Sequence, residues 1–237
     1  MINKSTGMTF KSLSHRMNLE SILIFLKSLA KNNNRDWFEK NKPKYLKVKL
    51  AFEDFLESLH SELLKFDESL AGLNPRKLGF RIYRDVRFSK DKKPYKVNMG
   101  AGFSPKGKME QEPGFYVHIQ PNNQSFVAGG FYMPDAEKLA KIRQEIDYNP
   151  ESLKKVLSDK RFVKMFPNGL DDFDSLKKAP KGYPKDHPHV DWLKHKSFIV
   201  SHYFSDKEVA DKKFVKKLSE ICKTLKPLND FLTSAIS

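Results

Sequence analysis

A single cysteine, Cys222, stands in this sequence of 237 residues. One thiol closes no disulfide within the chain. A disulfide framework and a cysteine-ligated zinc finger are therefore excluded, and no disulfide-linked partner is expected. Long apolar runs are missing too. The longest, Ile22-Leu23-Ile24-Phe25-Leu26, stops at Lys27, whereas a bilayer span takes about 20 apolar residues and a signal-peptide core about 7–15. No membrane partner is expected, and the absence of an export signal points to the cytoplasm. Gly129-Gly130 lacks the spacing and the following lysine of a phosphate-binding loop, and suits a bulge or close packing instead. Acidic residues are the scarcest class relative to their opposites. There are 29 Asp and Glu against 44 Lys and Arg, for a net charge of +15.

What is present is enough apolar material for a folded core, with 39% hydrophobic residues and 19 phenylalanines. Residues 1–17 are polar, basic and aperiodic, and read as a flexible N-terminal extension to a single domain over 18–237. A helix is expected over Leu19–Lys31, then a break at Asn32-Asn33-Asn34, one of which caps a following helix at Arg35. Pro43 reads as an early-turn residue. After it Tyr45, Val48, Phe52, Phe55, Leu59 and Leu63 recur with helical spacing to about Phe66.

The period then changes. Short segments over Leu78–Tyr83, Val97–Phe103, Phe115–Gln120, Ser125–Tyr132 and Ser197–Phe204 predict an antiparallel sheet of about five strands. Helices return around Leu139-Ile142-Ile146 and after Asn149-Pro150. Residues 167–190 hold four of the thirteen prolines and read as a long loop. Ser205-Asp206-Lys207-Glu208 fits a capping box opening a helix that carries Phe214, Leu218, Ile221 and Leu225, with Pro227 ending it or starting another. The class is α+β, with N-terminal and C-terminal helices packed on the sheet.

The excess charge is concentrated. Residues 76–96 carry nine basic and two acidic groups, net +7, and residues 31–49 carry seven and two, net +5. The second window is mostly lysine on helix faces, the ordinary composition of solvated surface. The first has Arg81, Arg84 and Arg87 at three-residue spacing, interleaved with Tyr83, Phe88 and Tyr95. A guanidinium offers a planar fork of donors suited to phosphate or carboxylate and can stack on rings. Three of them close together repel unless carboxylates or an anion compensate. Asp85 is the nearest carboxylate, with Asp91 second.

The run Arg81-Ile82-Tyr83-Arg84-Asp85-Val86-Arg87-Phe88-Ser89-Lys90-Asp91-Lys92-Lys93-Pro94-Tyr95-Lys96 is distinctive. Upstream of it stand Phe25-Leu26-Lys27-Ser28-Leu29, Asn32-Asn33-Asn34-Arg35-Asp36-Trp37-Phe38 and Asn41-Lys42. Downstream follow Pro113-Gly114-Phe115-Tyr116, Gly129-Gly130-Phe131-Tyr132-Met133-Pro134 and Ile142-Arg143. In this order they resemble the bacterial and fungal family known as domain of unknown function 2461, over roughly residues 19–225. The resemblance implies a single α+β domain without an established activity, and it carries over no catalytic residue.

Other chemistry is weaker. Asp91-Lys92-Lys93 matches the last element of a metal-dependent nuclease motif but sits in a loop without an earlier acidic ligand. His187, His189, His195 and His202 cluster in sequence without helical ligand spacing, so loop and sheet histidines are expected rather than a metal site. Cys222 reads as a small core residue. No cofactor is implied. One combination stands out: Arg81, Arg84, Arg87, Lys92, Lys93, Lys96 and Arg35 around an anion, with Tyr83 and Tyr95 as ring or hydroxyl partners. There Asp85 or Asp91 orients an arginine, or holds magnesium on a polyphosphate. Three readings follow. The first is binding of a phosphate-bearing ligand, nucleic acid or nucleotide, at residues 81–96. The second is an enzyme acting on a small anionic substrate, with Asp85 or His118 as acid or base. The third is a scaffold in which the arginine-rich segment is an internal salt-bridge clamp.

Overall fold

The computed structural model describes residues 18–109 and 111–237, so the expected N-terminal extension over 1–17 lies outside the described residues. Helix α1 covers Leu19–Lys31, where Asn18 accepts a hydrogen bond from the Ser21 amide, and α2 covers Arg35–Leu63 under an Asn34 cap. Pro43 does not start α2 but lies inside it. An interior proline costs the helix about 3 kcal/mol or more. Packing on both sides of it offsets that cost: Phe38 and Tyr45 meet at 5.1 Å, and Val48, Phe52 and Phe55 continue the buried stripe.

Four strands follow: β1 Met99–Phe103, β2 Gly114–Ile119, β3 Ser125–Phe131 and β4 Phe198–Phe204. They pair antiparallel in the order β1-β2-β3-β4. The expected fifth strand at Leu78–Tyr83 does not form. The chain touches β1 only at Gly79, paired with Ala101, and through the Phe80 amide to Gly100. It then turns away to pair with its own continuation, Tyr83 opposite Tyr95. Tyr95 stacks on Phe38 of α2 at 4.0 Å, and Ile82 is buried, so the side chains that hold this segment pull it towards the N-terminal helices and off the sheet edge.

Between β3 and β4 run α3 Ala136–Tyr148, α4 Pro150–Ser158, α5 Lys160–Met165 and α6 Val190–Lys194. The capping box at Ser205 and Glu208 is present, but it opens only the four-residue α7, Asp206–Val209. The long C-terminal helix α8, Phe214–Ile236, starts afresh and runs through Pro227 without a break.

The sheet is dressed on one face. Ala101, Phe103, Phe115, Val117, Ile119, Val127, Phe198 and Val200 point inward and join α1, α2 and α8 in one contiguous core. Helix α8 lies so close to β3 that a Cβ on Gly129 would sit 2.9 Å from a Leu225 methyl. Gly130, at φ +119°, leaves no room for a Cβ either, which would fall 1.9 Å from the Phe198 carbonyl oxygen. The opposite face presents Gly100, Tyr116, His118, Phe126, Ala128, Ile199 and Tyr203, and no helix covers it among the described residues.

Candidate functional site

The arginines of the 81–96 segment do not converge. Arg84 donates to Asp91 at 2.7 Å and to the Lys93 carbonyl at 3.1 Å, while Arg87 grips Asp85 with its Nε and Nη2, the shorter bond being 2.7 Å. Both pairs are local and stay in solvent. The side-chain and backbone donors of Arg87 hold Asp85 below its usual carboxylate range. The Lys93 amide, and after it Arg84, do the same for Asp91. Lys92 bonds the Val86 carbonyl, and Lys93 contributes only its backbone amide to the Asp91 turn. Phe88, at the tip, is 95% exposed. Tyr95 is buried, bonded through its backbone to Asn33, and Arg35 lies across a shallow surface depression from Tyr83. Arg76, just upstream, ties to Glu53, Asp54 and Glu57 of α2. Among the described residues Arg81 and Lys96 form no ion pair with a carboxylate, and the Arg81 charge acts on Lys96.

Lys96 borders a hollow that sequence reasoning did not find. It lies on the uncovered face of the sheet and has a volume of about 640 Å³, within the range typical of small-molecule sites. Tyr116, His118, Phe126, Ala128 and Ile199 form its floor, and Phe80, Lys96, Lys108, Met109 and Tyr132 rise at its rim. The local pattern explains the floor. In a strand successive side chains alternate faces, so the phenylalanine, valine and isoleucine of Phe115-Tyr116-Val117-His118-Ile119 fill the core, and Tyr116 and His118 are left outside. Most outward positions on such a strand are charged or small. Here they are aromatic, and that departure was the available signal. Residues 104–109 fold back over β1, where Gly102 admits them: a Cβ there would meet the Lys108 carbonyl oxygen at 2.9 Å.

The aromatic rings form a continuous row across the strands. Phe80 and Tyr116 are 6.1 Å apart, Tyr116 and Phe126 5.7 Å, and Phe126 and Tyr203 5.3 Å. His118 stacks on Phe126 at 4.6 Å with planes 19° apart. The Nζ atoms of Lys96 and Lys108 stand 5.8 and 5.9 Å from the centroid of the same ring, Phe80. Burial, and secondarily the Arg81 charge, lowers the pKa of Lys96 from the normal lysine value. Two ammonium groups sharing a ring without a carboxylate near either, among the described residues, make this rim electropositive.

On the floor, the Tyr116 hydroxyl lies 3.0 Å from His118 Nδ1, and His118 Nε2 lies 2.9 Å from Gln120 Oε1. Burial raises the Tyr116 pKa to about 12. Burial also lowers that of His118, an effect Lys96 reinforces and the Gln120 contact opposes. The imidazole is thus held neutral at physiological pH.

The remaining candidates serve the structure. His187 bonds Asp147 at 2.9 Å, His189 stacks on Trp192 at 4.9 Å, His195 meets Ser175 and His202 meets the Met165 carbonyl. Among the described residues no three His, Cys, Asp or Glu side chains are grouped as metal ligands. Cys222 is buried, and its thiol pKa is raised by that burial. No helix among the described residues is long and apolar enough to cross a membrane.

With this geometry in hand, comparison with known proteins adds one result. The chain belongs to the conserved hypothetical protein family DUF2461, whose model matches residues 21–231. No curated protein and no solved structure matches it.

Proposed function

We propose that this member of the DUF2461 family binds a nucleotide-like ligand, a planar ring joined to a phosphate, in the hollow on the open face of its sheet. Phe126, His118 and Phe80 offer the ring apolar and π surface, an interaction of about 1–3 kcal/mol per stacked base. Lys96 and Lys108 take the phosphate, with Arg81 adding its charge from behind. The observation that carries the reading is the pair of ammonium groups converging on Phe80 without a carboxylate among the described residues. An anion bound at this rim lowers its local positive charge. The volume suits a mononucleotide or one nucleotide of a single strand, and is too small for a duplex.

Arg84 and Arg87 are assigned a different role. Each closes on an aspartate seven or two residues away, which shapes the 84–93 loop and leaves no fork free for a ligand. The clamp reading therefore applies to these two, and the binding reading to Arg81 and Lys96.

The test is calorimetric titration with nucleoside 5′-monophosphates, the matching nucleosides, inorganic phosphate and short single-stranded oligonucleotides, at low and high salt. The monophosphate is expected to bind more tightly than nucleoside or phosphate alone, with affinity falling as salt rises. Lys96→Ala should weaken it about 10-fold or more, the size of a charged hydrogen bond, whereas Arg87→Ala should leave it unchanged. Absence of binding at low salt, or indifference to Lys96→Ala, refutes the proposal.

A further inference from the structure

The floor of the hollow has a definite hydrogen-bond polarity, which follows from the chain of groups behind it. Gln120 turns its side-chain oxygen Oε1 to His118 Nε2 at 2.9 Å. A carbonyl oxygen only accepts, so His118 Nε2 carries the proton. In a neutral imidazole the other nitrogen, Nδ1, is then a bare acceptor. The group facing Nδ1 at 3.0 Å is the Tyr116 hydroxyl, which must therefore donate its single proton to the histidine. Its oxygen keeps its lone pairs and has no other protein partner among the described residues. Gly100 makes room for this: the Tyr116 oxygen lies 2.5 Å from where a Cβ on residue 100 would stand. The hollow thus offers positive charge at its Lys96–Lys108 rim and an acceptor at its floor.

Resting on the nucleotide reading above, we infer that Tyr116 Oη selects ligands whose planar ring presents an N–H donor, such as an amino-bearing purine, over rings of the same shape without one. Selectivity arises because a ring carrying only acceptors sets a lone pair against a lone pair and leaves both groups without water. His118 and Gln120 act through Tyr116: they orient its proton away from the ligand and are positioning residues.

Adenosine 5′-monophosphate and purine riboside 5′-monophosphate differ by one amino group and make a direct test. The wild-type protein should bind the first about 3–10-fold more tightly, the size of one neutral hydrogen bond. Tyr116→Phe keeps the ring on Phe80 and Phe126 and should bring the ratio close to one, with purine riboside monophosphate binding at least as tightly as to the wild type. Gln120→Leu, which frees His118 to move its proton to Nδ1, should reduce the ratio as well. A ratio of one in the wild type, or a ratio unchanged in Tyr116→Phe, overturns the inference and leaves the nucleotide reading standing. Failure of both ligands to bind the wild type overturns the two together.

Discussion

Replacing Gly100 by alanine tests the architecture of the hollow without any ligand. The new Cβ would stand 2.5 Å from Tyr116 Oη and 3.0–3.1 Å from two of its ring carbons, so the tyrosine has to swing away. It then loses the 3.0 Å bond to His118 and part of its contact with Phe80 and Phe126. A neutral hydrogen bond contributes about 0.5–1.5 kcal/mol and an aromatic pair about the same, so the loss is about 1–3 kcal/mol. Removing a glycine restricts the unfolded chain and returns about 0.4–1 kcal/mol. The net expectation is a destabilisation of about 1–2 kcal/mol, read as a lower urea midpoint at unchanged slope. The decisive comparison is the same substitution in a Tyr116→Phe background. Without the hydroxyl the closest contact disappears, and Gly100→Ala should cost about 0.5–1.5 kcal/mol less than in the wild type. Equal costs in the two backgrounds would show that the hydroxyl does not occupy the space above Gly100, and that Tyr116 does not hold the orientation assigned to it.

Three further outcomes follow from the same structure. Gly130→Ala combines a positive φ with a Cβ 1.9 Å from the Phe198 carbonyl, and should cost more than about 3 kcal/mol or prevent folding, as circular dichroism and thermal melting would report. Cys222, buried with a raised pKa, should resist a thiol reagent in native buffer and react at once in denaturant; rapid native labelling would contradict its place in the core. Burial lowers the pKa of both His118 and His195, so the unfolded chain takes up protons from about pH 6.5 downward while the folded one resists. Stability should therefore fall between pH 7.5 and 5.5, and fall less in His118→Gln; an identical slope in that variant would argue against a neutral, buried imidazole.

Local signals in the sequence translated well into elements. Asn34 and Ser205 mark helix starts because a short polar side chain satisfies free amides within three residues, and that chemistry needs no distant partner. The prolines misled for the opposite reason. Pro43 and Pro227 read as boundaries, yet α2 and α8 continue through them because burial of Phe38, Phe55, Leu225 and Leu228 outweighs a lost backbone bond. Leu78–Tyr83 has a strand-like composition, but Tyr95 and Ile82 anchor it to the N-terminal helices.

The site was only partly legible. The concentration of charge at 81–96 was legible, and Asp85 and Asp91 stood out as the carboxylates that pair with Arg87 and Arg84. The hollow itself is assembled from Phe80, Lys108, Tyr116, Phe126 and Ile199, brought together by strand pairings that no local pattern specifies. Alternation along β2 shows that Tyr116 and His118 face away from the core. It does not show that the face they share is left without a helix.

The most direct measurement is a map of amide chemical-shift changes on titration with adenosine 5′-monophosphate. The account predicts that the largest changes fall on Gly100, Tyr116, His118, Phe126 and Ile199, with Lys96 and Lys108 at the rim. Changes confined to the Arg84–Lys93 loop, or none at millimolar ligand, would contradict it.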